Sequence, residues 1–341
     1  MGARSACKIF EKISDCLKHI MSTHYKVPLI VKVLDDFLFI AESSSDCRYG
    51  LECFKHLCKR TGIPLAHHKT VGPTHELDFL GIQINTTTAT ASLPSDKLVN
   101  YLEVVSHLAD AASCSLRELK SLIGKLQFAC TIIPSGRCFI RRLHDLTIGK
   151  TKPNTVIVLP LWAKEDLQLW KSFLTTFNGR ALYNFVWKGT SDDLHLYSDS
   201  SKSGFGGVYG SHFIQGKFPE NWRCLNIATL ELYPIYALMY IFRSSSANSQ
   251  IIFHCDNEAV VSIINNKTSK DPRLMRLLRP LILVLMEYNI IFKCVHIPGT
   301  ANIICDFLSR SQVDSNFLSR HNLDLIPTPL PPQICPGNFS L

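Results

Sequence analysis

The spacing of apolar residues near the start of the chain predicts a helix followed by two short strands. Residues 6–24 carry apolar side chains at three- and four-residue steps, the period of one helix face: Ile9, Ile13, Leu17 and Ile20. After Pro28, an apolar run over residues 29–40 contains the pair Asp35-Asp36. This run predicts two strands with the two aspartates at the tip of the turn between them.

Residues 93–146 predict a helical unit. Ser95 is placed to cap one apolar stripe, and Ser115 with Glu118 forms a capping-box sequence before another. The Pro-Ser-Gly sequence at 134–136 breaks the second helix, and basic residues open the next one: Arg137, Arg141 and Arg142. From about residue 191, strands alternate with helices as in an α/β domain.

We divide the chain into five segments on these patterns: residues 1–92, 93–150, 151–190, 191–312 and 313–341. The third segment is a connector that contains tryptophans, and the prolines of the last predict an extended, mobile tail. The expected fold class is multidomain, with α/β and α+β parts.

Composition and charge narrow the functional classes. With 46% hydrophobic and 19% charged residues, the chain is globular rather than disordered. Its net charge is +8, and the basic excess lies between residues 93 and 190. That excess suits a polyanionic partner, although a solvated surface explains it equally well.

The cysteines and the longest apolar stretches suggest where the protein works. Thirteen cysteines without a CxxC pair favour buried free thiols in a reducing, intracellular compartment, with cytoplasm and nucleus both open. The apolar stretches at 29–41 and 281–292 contain charged residues, so neither predicts a membrane span and we expect no membrane partner.

Four carboxylates of the second half occur in apolar surroundings. Asp199 and Asp256 end predicted strands, Glu231 shares a helical stripe with apolar residues, and Asp306 lies among apolar neighbours. Asp256 could instead cap a helix and Asp199 could be a turn residue. If the four converge they repel one another, and two Mg²⁺ ions, with Mn²⁺ as a substitute, would relieve that repulsion.

The order of these elements resembles the type 1 ribonuclease H fold. The resemblance rests on four features in this order: Asp199 at the end of a strand before a Gly-rich hairpin, Glu231 in a helix, Asp256 at the end of a later strand, and the sequence from His296 to Asp306. It implies a five-stranded mixed sheet with flanking helices over residues 191–312, and four metal-binding carboxylates. It also implies that His296 acts in proton transfer or product release, whereas a structural histidine is the alternative. Cys305 stands where the family usually has alanine.

The first half resembles a reverse transcriptase, and the whole chain resembles DIRS-type, tyrosine-recombinase retrotransposons. Asp35-Asp36 resembles the metal-binding hairpin of the palm, Lys69 lies in a sequence similar to the next polymerase motif, and residues 115–137 resemble the thumb. The resemblance implies a partial palm at 1–92 and a helical thumb at 93–150. Val33 departs from the usual tyrosine. The fingers and the strand with the first catalytic aspartate are expected to precede Met1, so we expect no primer extension by this chain.

Basic side chains are candidates for contacts with a duplex backbone. On the resemblance, they are Lys69, Lys120, Lys125, Arg137, Arg141, Arg142, Arg273 and Arg276. A solvated helix face is the alternative for each cluster.

The expected function is Mg²⁺-dependent cleavage of the RNA strand in RNA–DNA hybrids by a retrotransposon-derived fragment. The partners would be the hybrid and the rest of the polyprotein. Two alternatives stay open: an RNA-directed DNA polymerase that needs the missing parts, and a catalytically decayed remnant that only binds nucleic acid.

Overall fold

The computed structural model describes residues 5–178, 194–311 and 313–338. These residues form two compact units, one made of residues 5–99 with Asn178 and the other of the remaining described residues. The division of the chain into palm, thumb, connector and ribonuclease H segments stays a prediction.

The first unit contains two small antiparallel sheets and their helices. In chain order its elements are α1 (Ala6–Thr23), β1 (Leu29–Val33), β2 (Asp36–Ile40), α2 (Ser44–Thr61), β3 (Glu76–Phe79), β4 (Ile82–Asn85), β5 (Thr90–Ser92) and the start of α3 (Ser95–Asp110). Val33 pairs with Asp36, so the two-residue turn is Leu34-Asp35 and Asp36 is the first residue of β2. The prediction of both aspartates at the tip is therefore wrong by one residue. Leu34 has a φ of 52°, as the first position of such a turn requires.

Helix α1 has nearly the predicted bounds, but only the second half of the predicted stripe, Leu17 and Ile20, packs on the core. Leu17 and Met21 face the core, whereas Ile9 and Ile13 are 56% and 40% exposed. Periodicity in the sequence locates a helix, but only the packed neighbours decide which part of a broad apolar face is covered.

The second unit begins with a helical region. Its elements are β6 (Ser113–Ser115), α4 (Leu116–Ala129), α5 (Arg141–Asp145), β7 (Val156–Val158) and α6 (Leu161–Thr176). The capping box at Ser115 and Glu118 is present with both hydrogen bonds. Ser95 is the first residue of α3 rather than a residue before it. Arg137 lies in a 3₁₀ turn, Pro134–Phe139, and not in the helix that follows.

A buried carboxylate ties three parts of this unit together. Asp166 of α6 is fully buried and accepts hydrogen bonds from Arg142 of α5 at 2.5 and 2.8 Å. Arg279 also donates to Asp166, and its guanidinium lies 4.6 Å from the centroid of the Phe139 ring. Because Arg279 lies far along the chain, this charge cluster joins the helical region to the sheet that follows.

That sheet has five strands and mixed pairing. Its elements are β8 (Leu194–Ser200), β9 (Gly204–Tyr209), β10 (His212–Lys217), α7 (Ile227–Phe242), β11 (Gln250–Cys255), α8 (Glu258–Asn266), α9 (Pro272–Glu287), β12 (Ile291–His296) and α10 (Ile303–Ser309). The strand order is β10-β9-β8-β11-β12, with antiparallel pairs among the first three strands and parallel pairs on both sides of β11. The predicted five-stranded mixed sheet is therefore confirmed.

Helix α7 is the most apolar helix of the unit and packs against β8 and β9. Twelve of its sixteen residues are buried, and Glu231 is the one ionisable carboxylate among them. Despite this apolar character, no helix within the described residues has both the length and the hydropathy of a membrane span.

Residues 313–338 differ from the expected mobile tail. They form helix α11 (Ser315–Arg320), which buries Leu318, and then run beside the edge strand β10. The backbone N–H groups of Asp324 and Thr328 donate to Ser211 and Phe213. The prolines keep the segment extended, but these backbone bonds and its buried apolar side chains hold it on the sheet.

Candidate functional site

The first predicted carboxylate, Asp199, lies inside β8 rather than in a turn. It pairs in register with Gly206 of β9 and is only 9% exposed. Ser309 Oγ donates a 2.7 Å hydrogen bond to Asp199 Oδ2. Burial raises the pKa of Asp199, and the negative charges of Asp256 and Asp306 raise it further.

Two glycines of β9 let α10 approach this strand closely. A Cβ at Gly206 would lie 2.4 Å from the Leu308 Cβ, and one at Gly204 would lie 2.5 Å from the Ser309 carbonyl oxygen. Both separations are shorter than van der Waals contact, so only glycine fits at this helix spacing. The Gly-rich hairpin thus brings α10 and its Asp306 next to Asp199.

Glu231 lies in the first half of α7 and is 7% exposed. Burial raises its pKa to about 7, and the charges of Asp256 and Asp199 add to that increase. Hydrogen bonds from Asn257 and Cys255 oppose it. The Cys255 thiol donates to Glu231 Oε2 at 3.6 Å.

Asp256 follows the last residue of β11, but it does not cap α8. The capping residue is Asn257, whose Oδ1 accepts hydrogen bonds from the N–H groups of Ala259 and Val260. The alternative of Asp256 as an N-cap is therefore wrong. Its Oδ1 is buried without a hydrogen-bond partner in the described part of the chain. Such an orphaned carboxylate oxygen is costly unless a cation lies beside it.

Asp306 lies on the outer side of α10 and is partly exposed. Arg310, one turn later, donates from Nε at 2.9 Å and from Nη2 at 2.7 Å to Asp306 Oδ1. Asn302, which precedes α10, donates from Nδ2 to the Ser198 carbonyl oxygen at 2.8 Å and anchors the helix beside β8. Asp306 therefore has a fixed position and retains an oxygen, Oδ2, for a further ligand.

The four predicted carboxylates belong to one electrostatic cluster. Ligand atoms of Glu231, Cys255 and Asp256 lie within 4.8 Å of one another, and Asp199 interacts with both Asp256 and Asp306. Hard carboxylate oxygens, one of them orphaned, fit a divalent cation such as Mg²⁺. Cys255 is buried, and burial keeps its thiol protonated by raising its pKa, so it acts as a hydrogen-bond donor rather than as a thiolate.

His296 ends β12, where it pairs in register with Cys255 of β11, and its side chain is exposed. This places it at the strand-end side of the sheet, next to the residue that precedes Asp256. Two further histidines of this sheet face each other, with His195 Nδ1 and His254 Nε2 at 2.9 Å. Burial lowers the pKa of His254 to about 4, and the His195 and Lys293 charges lower it further. A neutral His254 suits a structural role for this pair.

In the first unit, Asp35, Asp36 and Lys69 line one cavity of about 380 Å³. Asp78 of β3 also borders this cavity, together with residues of α2. The structure therefore brings the predicted hairpin acids and the predicted basic residue of the first unit together.

The remaining basic candidates divide into exposed and paired side chains. The exposed ones are Lys120, Arg137, Arg273 and Arg276. Lys125 donates to Asn100 and lies 5.4 Å from the centroid of the Tyr101 ring, and Arg141 pairs with Asp145 at 2.9 Å. The Arg142 guanidinium already donates two hydrogen bonds to the buried Asp166. A phosphate contact by Arg142, as predicted, would compete with that ion pair.

Comparisons with known proteins give distant viral relatives. The chain is 22% identical over 324 residues to a putative enzymatic polyprotein of Cassava vein mosaic virus, covering 91% of this chain and 46% of that protein. It is 21% identical over 263 residues to the enzymatic polyprotein of Carnation etched ring virus, covering 74% and 37%. The chain thus spans less than half the length of these relatives. No family model matches it.

A comparison with solved structures matches a reverse transcriptase and a ribonuclease H. A foamy viral protease-reverse transcriptase in complex with double-stranded DNA matches 84% of this chain and 48% of its own, with 18% identity and a TM-score of 0.43. A ribonuclease H1 from Halobacterium salinarum matches 35% of this chain and 96% of its own, with 16% identity and a TM-score of 0.30. The chain is therefore similar in sequence to viral enzymatic polyproteins. A DIRS-type origin stays a prediction.

Several side chains that organise the site were not predicted from the sequence. Ser309 and Arg310 hold Asp199 and Asp306, Asn257 and Cys255 contact Glu231, and Asn302 anchors α10. The partners of Ser309 and Arg310 depend on how close α10 lies to β8, which no local pattern records.

Proposed function

We propose that this chain is part of a retroelement polyprotein and cleaves the RNA strand of RNA–DNA hybrids. The observation that supports this most is the cluster of Asp199, Glu231, Asp256 and Asp306, in which burial and then mutual repulsion raise the pKa values of Asp199 and Glu231. A folded protein keeps such repulsion where a cation compensates it. In-line phosphodiester cleavage by two divalent metals uses this kind of carboxylate group.

The four carboxylates would hold Mg²⁺, or Mn²⁺ as a substitute. When bound, such ions supply a nucleophilic water and stabilise the leaving oxygen. The chain itself contributes positioning. Ser309 and Arg310 orient two of the carboxylates, and Asn257 orients Glu231. His296, exposed at the edge of the same sheet, is placed to exchange protons with solvent.

The test is cleavage of a labelled RNA–DNA hybrid by the purified chain, with Mg²⁺ and with EDTA. We expect RNA-strand products with Mg²⁺ that are absent with EDTA and absent from the Asp199→Asn variant. Double-stranded DNA of the same sequence serves as the control substrate. Equal cleavage in EDTA would refute a metal-dependent mechanism, and hybrid binding without any cleavage would favour the decayed, binding-only alternative.

A second function, RNA-directed DNA synthesis, is supported by a separate observation. Asp35, Asp36 and Lys69 line one cavity of the first unit, as a metal site beside a nucleotide requires. We propose that this activity needs the remaining polymerase parts of the polyprotein. Joining the corresponding upstream segment of a related polyprotein to this chain should then give primer extension that the Asp36→Asn change removes.

The proposed partners are the hybrid duplex and the rest of the polyprotein. We also propose a reducing, intracellular location, which the thirteen free cysteines favour. Labelling the cysteines of protein extracted under alkylating conditions would test this, since a secreted form would carry oxidised thiols.

A further inference from the structure

A second cavity lies between the helical region and the sheet of the second unit, away from the four carboxylates. Its volume is about 690 Å³. Residues from α4, the 3₁₀ turn and α5 form one wall, and the C-terminal end of α8 forms the other. The polar residues that matter most are Gln127, Arg137, Arg141, His144, Asn266 and Lys267.

The lining of this cavity is strongly basic. Arg137, Arg141 and Lys267 all border it, and no carboxylate is among its lining residues in the part of the chain that the structure describes. Arg141 pairs with Asp145 through Nη2, but its Nε is buried and has no partner within the described residues. Burial and the Arg141 charge lower the pKa of His144, so this histidine adds no charge at neutral pH. The cavity therefore presents donors and positive charge, and of its three cations Arg141 has the neighbouring carboxylate of Asp145 as a partner.

Lys267 is held in place by its backbone and its neighbours. It ends α8 with a φ of 56°, and its Nζ donates to the Asn265 carbonyl oxygen and lies 5.1 Å from the Phe292 ring centroid. The Asn265 side chain exchanges two hydrogen bonds with the Cys294 backbone, at 2.8 and 2.9 Å, and so fixes this end of α8 to β12. Burial lowers the pKa of Lys267, and repulsion from Arg137 lowers it further. An anion between these two cations would remove that repulsion.

We propose that this basic cavity binds a phosphate group of the nucleic-acid backbone, with Lys267, Arg137 and Arg141 as its ligands. The inference rests on the proposed function, because it takes the nucleic acid cut at the carboxylates as the ligand. In this proposal Lys267, next to the sheet, and Arg137 and Arg141, in the helical region, contact the same strand of the nucleic acid. Arginine and lysine contacts of this kind position a duplex without reading its sequence.

The length of α8 sets the distance between the two sites. Asp256 precedes this nine-residue helix and Lys267 follows it, so the two are separated by about 15 Å at 1.5 Å per residue. At about 3.4 Å per nucleotide along a strand, the bound phosphate would lie roughly four to five nucleotides from the cleaved bond.

The binding test uses the full chain in EDTA, which separates affinity from cleavage. A fluorescent RNA–DNA hybrid of 18 base pairs is titrated at 50 and 200 mM salt with the wild type, Lys267→Met, Arg137→Met and Lys171→Ala. Lys267→Met keeps an unbranched side chain and removes the charge together with the Nζ hydrogen bond to the Asn265 carbonyl oxygen. Lys171 is exposed on α6 and lies outside the cavity, so its variant is the matched control.

Each phosphate contact makes the affinity fall by about three- to fourfold between these two salt concentrations. For each variant we compare the loss of affinity between 50 and 200 mM salt. We expect this loss to be about three- to fourfold smaller in Lys267→Met and in Arg137→Met than in the wild type, and unchanged in Lys171→Ala. A salt effect equal to wild type in both cavity variants would overturn the proposal. A wild type that binds with this signature but does not cleave would refute the proposed function and leave the cavity assignment standing.

Neutral methylphosphonate linkages then locate the phosphate. Placed singly along one strand, a linkage four to five nucleotides from the cleaved bond should weaken wild-type binding several-fold and leave Lys267→Met unaffected. Equal sensitivity of both proteins at every position would overturn the assignment. Inorganic pyrophosphate at matched ionic strength tests the other source of phosphate: if it binds in a Lys267-dependent manner while hybrid binding is independent of Lys267, the site takes a free anion and the proposal is wrong.

Discussion

The close contact between β9 and α10 gives the sharpest test of how the fold builds the carboxylate site. In the Gly206→Ala variant, the new Cβ would lie 2.4 Å from the Leu308 Cβ, 2.8 Å from the Ser309 N and 2.9 Å from the Cys305 carbonyl oxygen. All three atoms belong to the backbone or the first side-chain atom of α10, so no rotamer change relieves the contact. The helix itself must move.

The size of the movement follows from contact distances. Carbon atoms pack best at about 3.5–4.0 Å, so α10 must shift by about 1–1.5 Å. Overpacking of this kind costs about 1–3 kcal/mol of stability. A displacement of about 1 Å in an active site lowers the rate of reaction by about a hundredfold. Because Asp306 and Ser309 both lie on α10, we expect Gly206→Ala to reduce hybrid cleavage by about that factor while the protein stays folded.

The assay compares initial rates of hybrid cleavage with urea unfolding curves for the same preparations. Gly124→Ala is the matched control, since a Cβ there meets no atom within 4 Å and the residue lies inside the exposed part of α4. We expect this control to raise stability by about 1 kcal/mol and to cleave at the wild-type rate. Wild-type cleavage by a folded Gly206→Ala variant would show that the position of α10 does not matter for the chemistry.

Three other predictions test the charges and the C-terminal segment. Asp256→Asn should abolish cleavage yet raise the melting temperature by about 2–4 °C, because it removes repulsion worth about 1 kcal/mol; a lower melting temperature would show that the site is not strained by charge. Asp166→Asn should cost about 3–5 kcal/mol in urea unfolding, since Arg142 and Arg279 lose their buried anion; a loss below 1 kcal/mol would contradict the buried charge cluster. Truncation after Ser311 should cause self-association in light scattering, because it uncovers the β10 edge; a monodisperse truncated chain would refute that role for residues 313–338.

The elements of the fold could be predicted well where local sequence determines them. The Ser115 capping box and the alternation of strand and helix after residue 191 depend on neighbours within a few positions. The predicted turn at Asp35-Asp36 lies one residue after the observed turn at Leu34-Asp35. The four carboxylates could be singled out because each occurs in an apolar context that disfavours a charge. Their clustering depends on the order of strands in the sheet. The resemblance to ribonuclease H implied that order, whereas the periodicity of apolar residues does not.

The C-terminal segment shows where such reasoning ends. Prolines predicted an extended backbone, and residues 324–328 are indeed outside helices and strands. The error was to infer mobility from extension. An extended chain has free N–H groups, and the edge strand β10 has free carbonyl groups to accept from them. Whether the two meet depends on where the chain returns after α10, which no local pattern records.

The arginines of α9 make the same point for charge. Arg273, Arg276 and Arg279 are three residues apart, and each three-residue step turns a helix by about 60° away from alignment. Arg279 therefore points about 120° away from Arg273, toward the buried Asp166, while the first two arginines face solvent. Three equally spaced arginines therefore have different roles: two face solvent and one binds a buried carboxylate. Arg142 and Arg279 share the buried Asp166, so neither guanidinium is available to a polyanion, although the three side chains together contribute one positive charge to the net charge of +8. Affinity for nucleic acid should accordingly follow the exposed and cavity-lining cations, and a salt dependence measured on the whole chain reports those contacts rather than the total charge.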